Sequence, residues 1–126
     1  MRLLLDTVTF IWAVASPDQI SSKAMRAMQS SQARLELSAI SLSEIAIKQA
    51  SGKLNFSEVE VRIGTEDLKL RVLPYTADHA FQLFTLPQHH RDPFDRQIIS
   101  QALAEDISVV TVDEMFRLYK GLQVIW

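Results

Sequence analysis

The chain has 126 residues, 48% of them hydrophobic, with 3 Gly, 4 Pro and no Cys. That length suits one domain and that apolar share can build a core unaided, while disulfide scaffolds, thiolate zinc sites and cysteine nucleophiles are excluded. The formal net charge of -2 excludes retention on nucleic acid by the overall field, so any such contact needs a local basic patch.

The apolar start is interrupted by Asp6 and has no basic lead beyond Arg2, so it does not read as a cleaved signal. No stretch reaches the roughly 20 apolar residues of a spanning helix. A soluble chain with no membrane partner is expected, and the lack of cysteine agrees with a cytoplasmic location.

Leu3–Leu5 read as a buried strand ending at Asp6, followed by a mostly apolar helix over 7–15. Ser16-Pro17-Asp18 breaks it, and Asp18 is placed to cap a helix over about 19–30 with Met25 and Met28 inward. LELSAI at 35–40 predicts a second strand, and a helix near 42–51 stops at Ser51-Gly52. Ser57 and Glu60 have capping-box spacing for a helix near 58–68. KLRVL gives a third strand ended by Pro74, Thr76 opens a helix through about Phe84, and TLPQHHRDP is a loop. A helix over 93–105, a strand over 108–112, a helical turn after Asp113 and a closing strand in LQVIW complete the chain. Continuously apolar strands alternating with helices predict a single α/β domain of three layers, α/β/α, around a central parallel sheet of four to five strands.

In such a sheet, chemistry gathers at the carboxyl ends of the strands. Asp6 and Asp113 follow strands, Glu44 falls in the first turn of a helix, and Asp92 and Asp95 open another, so all five acids point to one edge. Each also has a structural reading. Asp6 and Asp113 can cap the turns behind them. Ser41 to Glu44 has the spacing of a capping box, and Glu44 pairs with Lys48 at i,i+4. Asp92 before Pro93 is a natural N-cap. Asp95 resists such accounts, because Phe94, Ile98, Ile99 and Ala102 surround its direction on the helix. An inward carboxylate needs a cation, several donors or a proton. Converging carboxylates form a hard oxygen set suited to Mg²⁺ or Mn²⁺ rather than zinc, and such ions serve phosphodiester hydrolysis.

Other candidates are weaker. His89 and His90 are adjacent and make no zinc pattern, so loop or supporting roles are expected of them. Arg91, Arg96 and Lys48 could hold nucleic-acid phosphates or merely balance the acids beside them. No phosphate-cradling glycine motif occurs.

LLLDT near the start, S-x-x-S-x-x-EIAIK-x-x-x-GKL at 38–54, LP-x-HHRDPFDR-x-I-I-x-QA at 86–102 and VTVD at 110–113 together resemble the PIN-domain family, within it the VapC-like toxins of toxin–antitoxin pairs. The likeness runs over essentially the whole chain. It implies a PIN-like fold and an endoribonuclease dependent on Mg²⁺ or Mn²⁺, acting on RNA and neutralised by a cognate antitoxin. It implies a homodimer or a toxin–antitoxin hetero-oligomer. The family's acids fall on Asp6, Glu44, Asp95 and Asp113, as catalytic residues and metal ligands, with Asp92 assisting. Thr111 matches the hydroxyl of the TxD motif and Arg96 the basic residue beside the third acid. Close relatives often carry His, Trp and Arg where this chain has Val8, Ser43 and Val112.

Those three departures motivate a second reading, a catalytically weak or inactive PIN-like module that binds RNA or a protein partner. An aspartyl-phosphate enzyme is a third, but it lacks the second acid two positions after Asp6, where Val8 stands. For an antitoxin, the apolar excess of 7–15 nominates Phe10 and Trp12 as contacts.

Overall fold

Leu3, Leu4 and Leu5 are all fully buried, as a strand covered on both faces must be. In the computed structural model, which describes residues 1–126, they belong to β1 (Arg2–Leu5), the middle of a five-stranded, all-parallel sheet. The strand order is β3-β2-β1-β4-β5, with β2 at Arg34–Ser38, β3 at Arg71–Leu73, β4 at Ser108–Val110 and β5 at Val124–Ile125. The chain lays β2 and β3 on one side of β1, then returns to lay β4 and β5 on the other. The reversal falls between β1 and β4, and a crevice opens at such a point outside the strand ends.

Side chains alternate across the sheet and divide the core in two. Leu3, Leu5, Leu37 and Val110 pack with Phe10 of α1 (Thr7–Ala15), Ala24 and Met28 of α2 (Ser22–Gln29) and Ile45 of α3 (Ala39–Ala50). Leu4, Leu73 and Val109 pack on the opposite face with Ile98, Ile99 and Ala102 of α6 (Pro93–Glu105). Burying one such Leu or Phe contributes roughly 1.5–3 kcal/mol, which makes the sheet the rigid base for whatever its ends carry. The expected three-layer arrangement is therefore present, with all five strands.

Local boundaries differ where capping chemistry has two solutions. Ser21, not Asp18, caps α2, accepting from the Ala24 amide at 3.1 Å; Pro17–Gln19 forms a separate 3₁₀ turn, since Pro17 fits an N-terminal position. β2 stops at Ser38, whose hydroxyl accepts from the Ile40 amide, so Ala39 and Ile40 belong to α3 rather than to the strand. β3, β4 and β5 are each shorter than their apolar runs, because ladder pairing takes in only Arg71–Leu73, Ser108–Val110 and Val124–Ile125. Ser57 and Glu60 do form the capping box of α4 (Glu58–Asp67). Thr76 caps α5 (Ala77–Phe81), which continues as a 3₁₀ turn over Gln82–Thr85.

Phe10 corrects an expectation about partners. It is fully buried, its ring edge-on to Phe56 with centroids 6.0 Å apart, and it has no surface to offer an antitoxin. Trp12 is half-buried, tilted against Trp126 at 6.0 Å.

α1 and α4 approach most closely at Gly64, where an added Cβ would sit 2.5 Å from Val14 Cγ2. Alanine in a helix interior ordinarily gains about 1 kcal/mol over glycine. Here the branched, rotamer-restricted Val14 cannot turn aside, and overpacking of this kind costs about 1–3 kcal/mol. Gly64→Ala should lower stability by roughly 1–2 kcal/mol, measured as an earlier urea midpoint with unchanged slope.

Candidate functional site

Asp6 follows β1 at the crevice. It caps α1, with Oδ1 accepting from the Thr9 amide at 2.9 Å, so its structural reading holds. Its other oxygen accepts a 2.6 Å bond from the Thr111 hydroxyl, just beyond β4. That hydroxyl in turn accepts from the Asp113 amide at 3.0 Å. Thr111 thus ties the first acid to the last across the strands that meet at the reversal. Asp6 is only 5% exposed, and burial raises its pKa above the usual carboxylate range against the pull of the Thr111 and Thr9 bonds, with Glu44 adding repulsion.

Glu44 lies in the second turn of α3, not the first, because that helix begins at Ala39. The Ser41–Glu44 capping box is therefore absent; the cap is Ser38, and the buried Ser41 hydroxyl instead accepts from the Thr7 hydroxyl at 2.9 Å, joining α3 to the start of α1. Glu44 Oε2 does pair with Lys48, one turn on. Its Oε1 is buried with no hydrogen-bond donor.

Asp92 caps α6 through the Phe94 amide, with Pro93 at the first helical position. Asp95, in the first turn of the same helix, is half-buried. Burial pushes its pKa up to about 7, reinforced by repulsion from Asp92, Asp6, Glu44 and Asp113 in that order. The mutual repulsion is the electrostatic signature of one cluster: acids scattered from position 6 to 113 act on one carboxyl group.

Asp113 caps the 3₁₀ turn Glu114–Leu118 through the Met115 amide at 2.9 Å. Its Oδ2 lies 2.9 Å from His90 Nε2. One ligand atom each from His90, Asp95 and Asp113 falls within a common 4.8 Å. His90 was expected in a loop or supporting role; its proximity to Asp113 depends on a fold contact spanning 23 residues, which no local spacing reveals. Tyr119, whose hydroxyl meets His90 Nδ1 at 2.9 Å, carried no signal in the sequence. Burial holds that phenol above its ordinary pKa.

The basic candidates divide. The Lys48 ammonium pairs with Glu44, which raises its pKa, and feels Asp92 and Asp95 as well; it also sits 5.9 Å over the Phe94 ring. Arg91 is exposed. The Arg96 guanidinium faces backbone, donating to the carbonyls of Leu86, Pro87 and His90, and so clamps the loop before α6 instead of standing free for a phosphate. Another buried acid, Glu36, lies within β2 and has both oxygens held by Arg2, outside the cluster.

The donor set passes a test for a divalent cation. Hard carboxylate oxygens neighbour one another, Glu44 Oε1 is buried without a donor, and burial, reinforced by repulsion from the other acids, raises the Asp95 pKa to about 7. A doubly charged ion supplies the missing counter-charge, and oxygen ligands of this kind suit Mg²⁺ or Mn²⁺.

The family model for the PIN domain matches residues 3–122. No curated protein matches the sequence. Among solved structures, VapBC-1 from nontypeable Haemophilus influenzae contains a chain 25% identical to this one, with a TM-score of 0.69 and coverage of 98% of this chain and 96% of that one. VapBC2 from Rickettsia felis, bound to a DNA fragment from its promoter, gives 17% identity, a TM-score of 0.73 and coverage of 98% and 97%. VapBC-5 from Mycobacterium tuberculosis, of a family of toxin–antitoxin systems, gives 16%, 0.63, and 98% and 96%.

The raised pKa of Asp95 fixes a sign. A carboxyl group that binds its proton more tightly folded than unfolded favours the fold at low pH and loses that contribution as pH rises from 3.8 to about 7. Metal-free protein in EDTA should therefore melt at progressively lower temperature across that interval. Asp95→Asn should flatten the fall and melt several degrees above wild type at about pH 8, as read by calorimetry.

Proposed function

The chain belongs to the PIN domain family, and from that premise we propose that it is a metal-dependent endoribonuclease, the toxin of a toxin–antitoxin pair. What supports the reading is a set of neighbouring acids: Asp95 and Asp113 offer ligand atoms within 4.8 Å of each other and of His90, Asp6 and Glu44 both add to the raised pKa of Asp95, and Glu44 Oε1 is buried without a donor. The fold shared with chains of VapBC structures supports the toxin assignment.

Asp6, Glu44, Asp95 and Asp113 would hold Mg²⁺ or Mn²⁺. Bound there, such an ion lowers the pKa of water and neutralises charge growing on a phosphoryl group. Around it the protein's residues have separate tasks. Thr111 fixes the spacing of Asp6 and Asp113 by bonding to both. Lys48 holds one oxygen of Glu44, leaving the other for the ion. Asp92 directs the first turn of α6 so that Asp95 enters the cluster. Arg91, exposed on the loop before α6, and Lys48, in the field of Asp92 and Asp95, would meet an RNA backbone; Arg96 contributes by shaping that loop.

Inhibition by an antitoxin needs an apolar surface. A groove of about 520 Å³ between α3 and α4 supplies one, lined by Leu42, Ile45, Ala46, Phe56, Val61 and Val72. It takes over the role first assigned to Phe10, with Trp12 a further contact near Trp126. Assembly as a homodimer or hetero-oligomer and a cytoplasmic location complete the proposal; no helix is long and apolar enough to cross a membrane.

Purified protein should cut single-stranded RNA with Mg²⁺ or Mn²⁺ and stop when EDTA is added. Asp95→Asn should lower the rate by at least about a hundredfold. RNA binding without products under either ion would favour the non-catalytic module that Val8, Ser43 and Val112 suggest. Separately, Ala46→Glu keeps helix propensity while charging the groove, and should weaken antitoxin binding about a hundredfold or more without changing cleavage, measured by calorimetric titration of the partner encoded beside it.

A further inference from the structure

His90 touches the acid cluster, and the proposed chemistry assigns it nothing. It belongs to the loop before α6 and is buried. Nε2 lies 2.9 Å from Asp113 Oδ2 and Nδ1 lies 2.9 Å from the Tyr119 hydroxyl. The Phe116 ring meets the imidazole edge-on at 5.1 Å, and Tyr119 stacks on it at 5.5 Å. Arg96 fixes the loop backbone from Leu86 to His90 through three carbonyls. Both ring nitrogens and the main chain are thus engaged, with two aromatic rings packed against the imidazole. A histidine that only filled space would not need so complete a set of partners.

We infer that His90 is a positioning residue that aims the Asp113 carboxylate at the metal site, with Tyr119 selecting the imidazole tautomer. An ionised carboxylate only accepts, so Nε2 carries the proton and donates to Asp113 Oδ2. In the neutral ring Nδ1 is then an acceptor, and the Tyr119 hydroxyl donates to it. One tautomer satisfies both contacts. Asp113 Oδ1 meanwhile accepts from the Met115 amide at 2.9 Å. With one donor on each oxygen, the carboxylate cannot turn without losing a bond, and its remaining lone pairs stay free for a cation shared with Asp95. Groups that orient a ligand from behind in this way typically alter metal affinity by about 10–100-fold. The inference rests on the acid cluster being a metal site, and it gives the loop motif HHRDPFDR a division of labour: Arg96 sets the loop, His90 sets Asp113, Asp92 sets the helix and Asp95 enters the cluster.

Calorimetric titration of Mn²⁺ into metal-free full-length protein tests it. His90→Ala should weaken binding about 10–100-fold. His90→Gln, whose side-chain amide can donate from nearly the place of Nε2, should recover most of the loss; Tyr119→Phe should weaken binding less than His90→Ala. These two conservative variants keep the test sound should His90→Ala fold poorly. Nitrogen NMR of metal-free wild type should show His90 protonated at Nε2, and Tyr119→Phe should mix the tautomers. His90→Gln binding no better than His90→Ala, or His90→Ala binding like wild type, would overturn the inference. A directly coordinated imidazole nitrogen in the Mn²⁺ spin-echo spectrum would do so too, by making His90 a ligand. Wild type that takes up no Mn²⁺ would sink the metal reading instead, while the tautomer still reports whether Tyr119 and Asp113 hold the ring.

Discussion

Repulsion among carboxylates is the force this molecule is built to withstand. Asp95 stands against four others, and no group in the protein neutralises it; Lys48 is already committed to Glu44. Like charges in a partly dry crevice would drive their carriers apart if those were flexible. They are instead rooted just beyond buried strands and in the opening two turns of helices, where the apolar packing of two core clusters holds position. The surplus negative charge stored at the edge of the sheet is what a divalent cation held there would offset.

The hydroxyl of Thr111 shows how short-range chemistry manages that strain. By donating to Asp6 and accepting from the Asp113 amide, it places one acid against each side of itself while facing neither with a bare lone pair. Caps do similar work. Asp6, Asp92 and Asp113 each accept from backbone amides at the start of a helical turn, where the partial positive charge of unsatisfied N–H groups favours an anion. For these acids, structural and functional readings are one arrangement: the cap orients the carboxylate, and the orientation leaves a lone pair facing the crevice.

How much of this could be read from residues alone depended on the range of the interaction. Asp95 was legible because a single helix dictates its direction: the apolar stripe of Ile98, Ile99 and Ala102 forces it inward whatever the topology. Asp6 and Asp113 were legible as strand ends, yet their adjacency was not, since the order β3-β2-β1-β4-β5 emerges only from the packing of the whole sheet. Glu44 was placed one turn too early; two serines compete to begin α3, and Ser38 wins because β2 ends there. Phe10 was misjudged because hydrophobic excess on α1 does not reveal that α4 covers it at Gly64. His90 and Tyr119 meet across 29 residues and left no periodic trace. The motif resemblance supplied what periodicity could not, the grouping of acids that share a site.

The position of the reversal has a further consequence for the timing of synthesis. β1 leaves the ribosome well before its neighbour β4, which with Thr111 and Asp113 comes more than a hundred residues later. Any nascent or prematurely terminated form that stops short of β4 presents Asp6 without its hydroxyl partner and without the last acid. The four acids are complete only once β4 and the turn after it have emerged, a delay written into strand order alone.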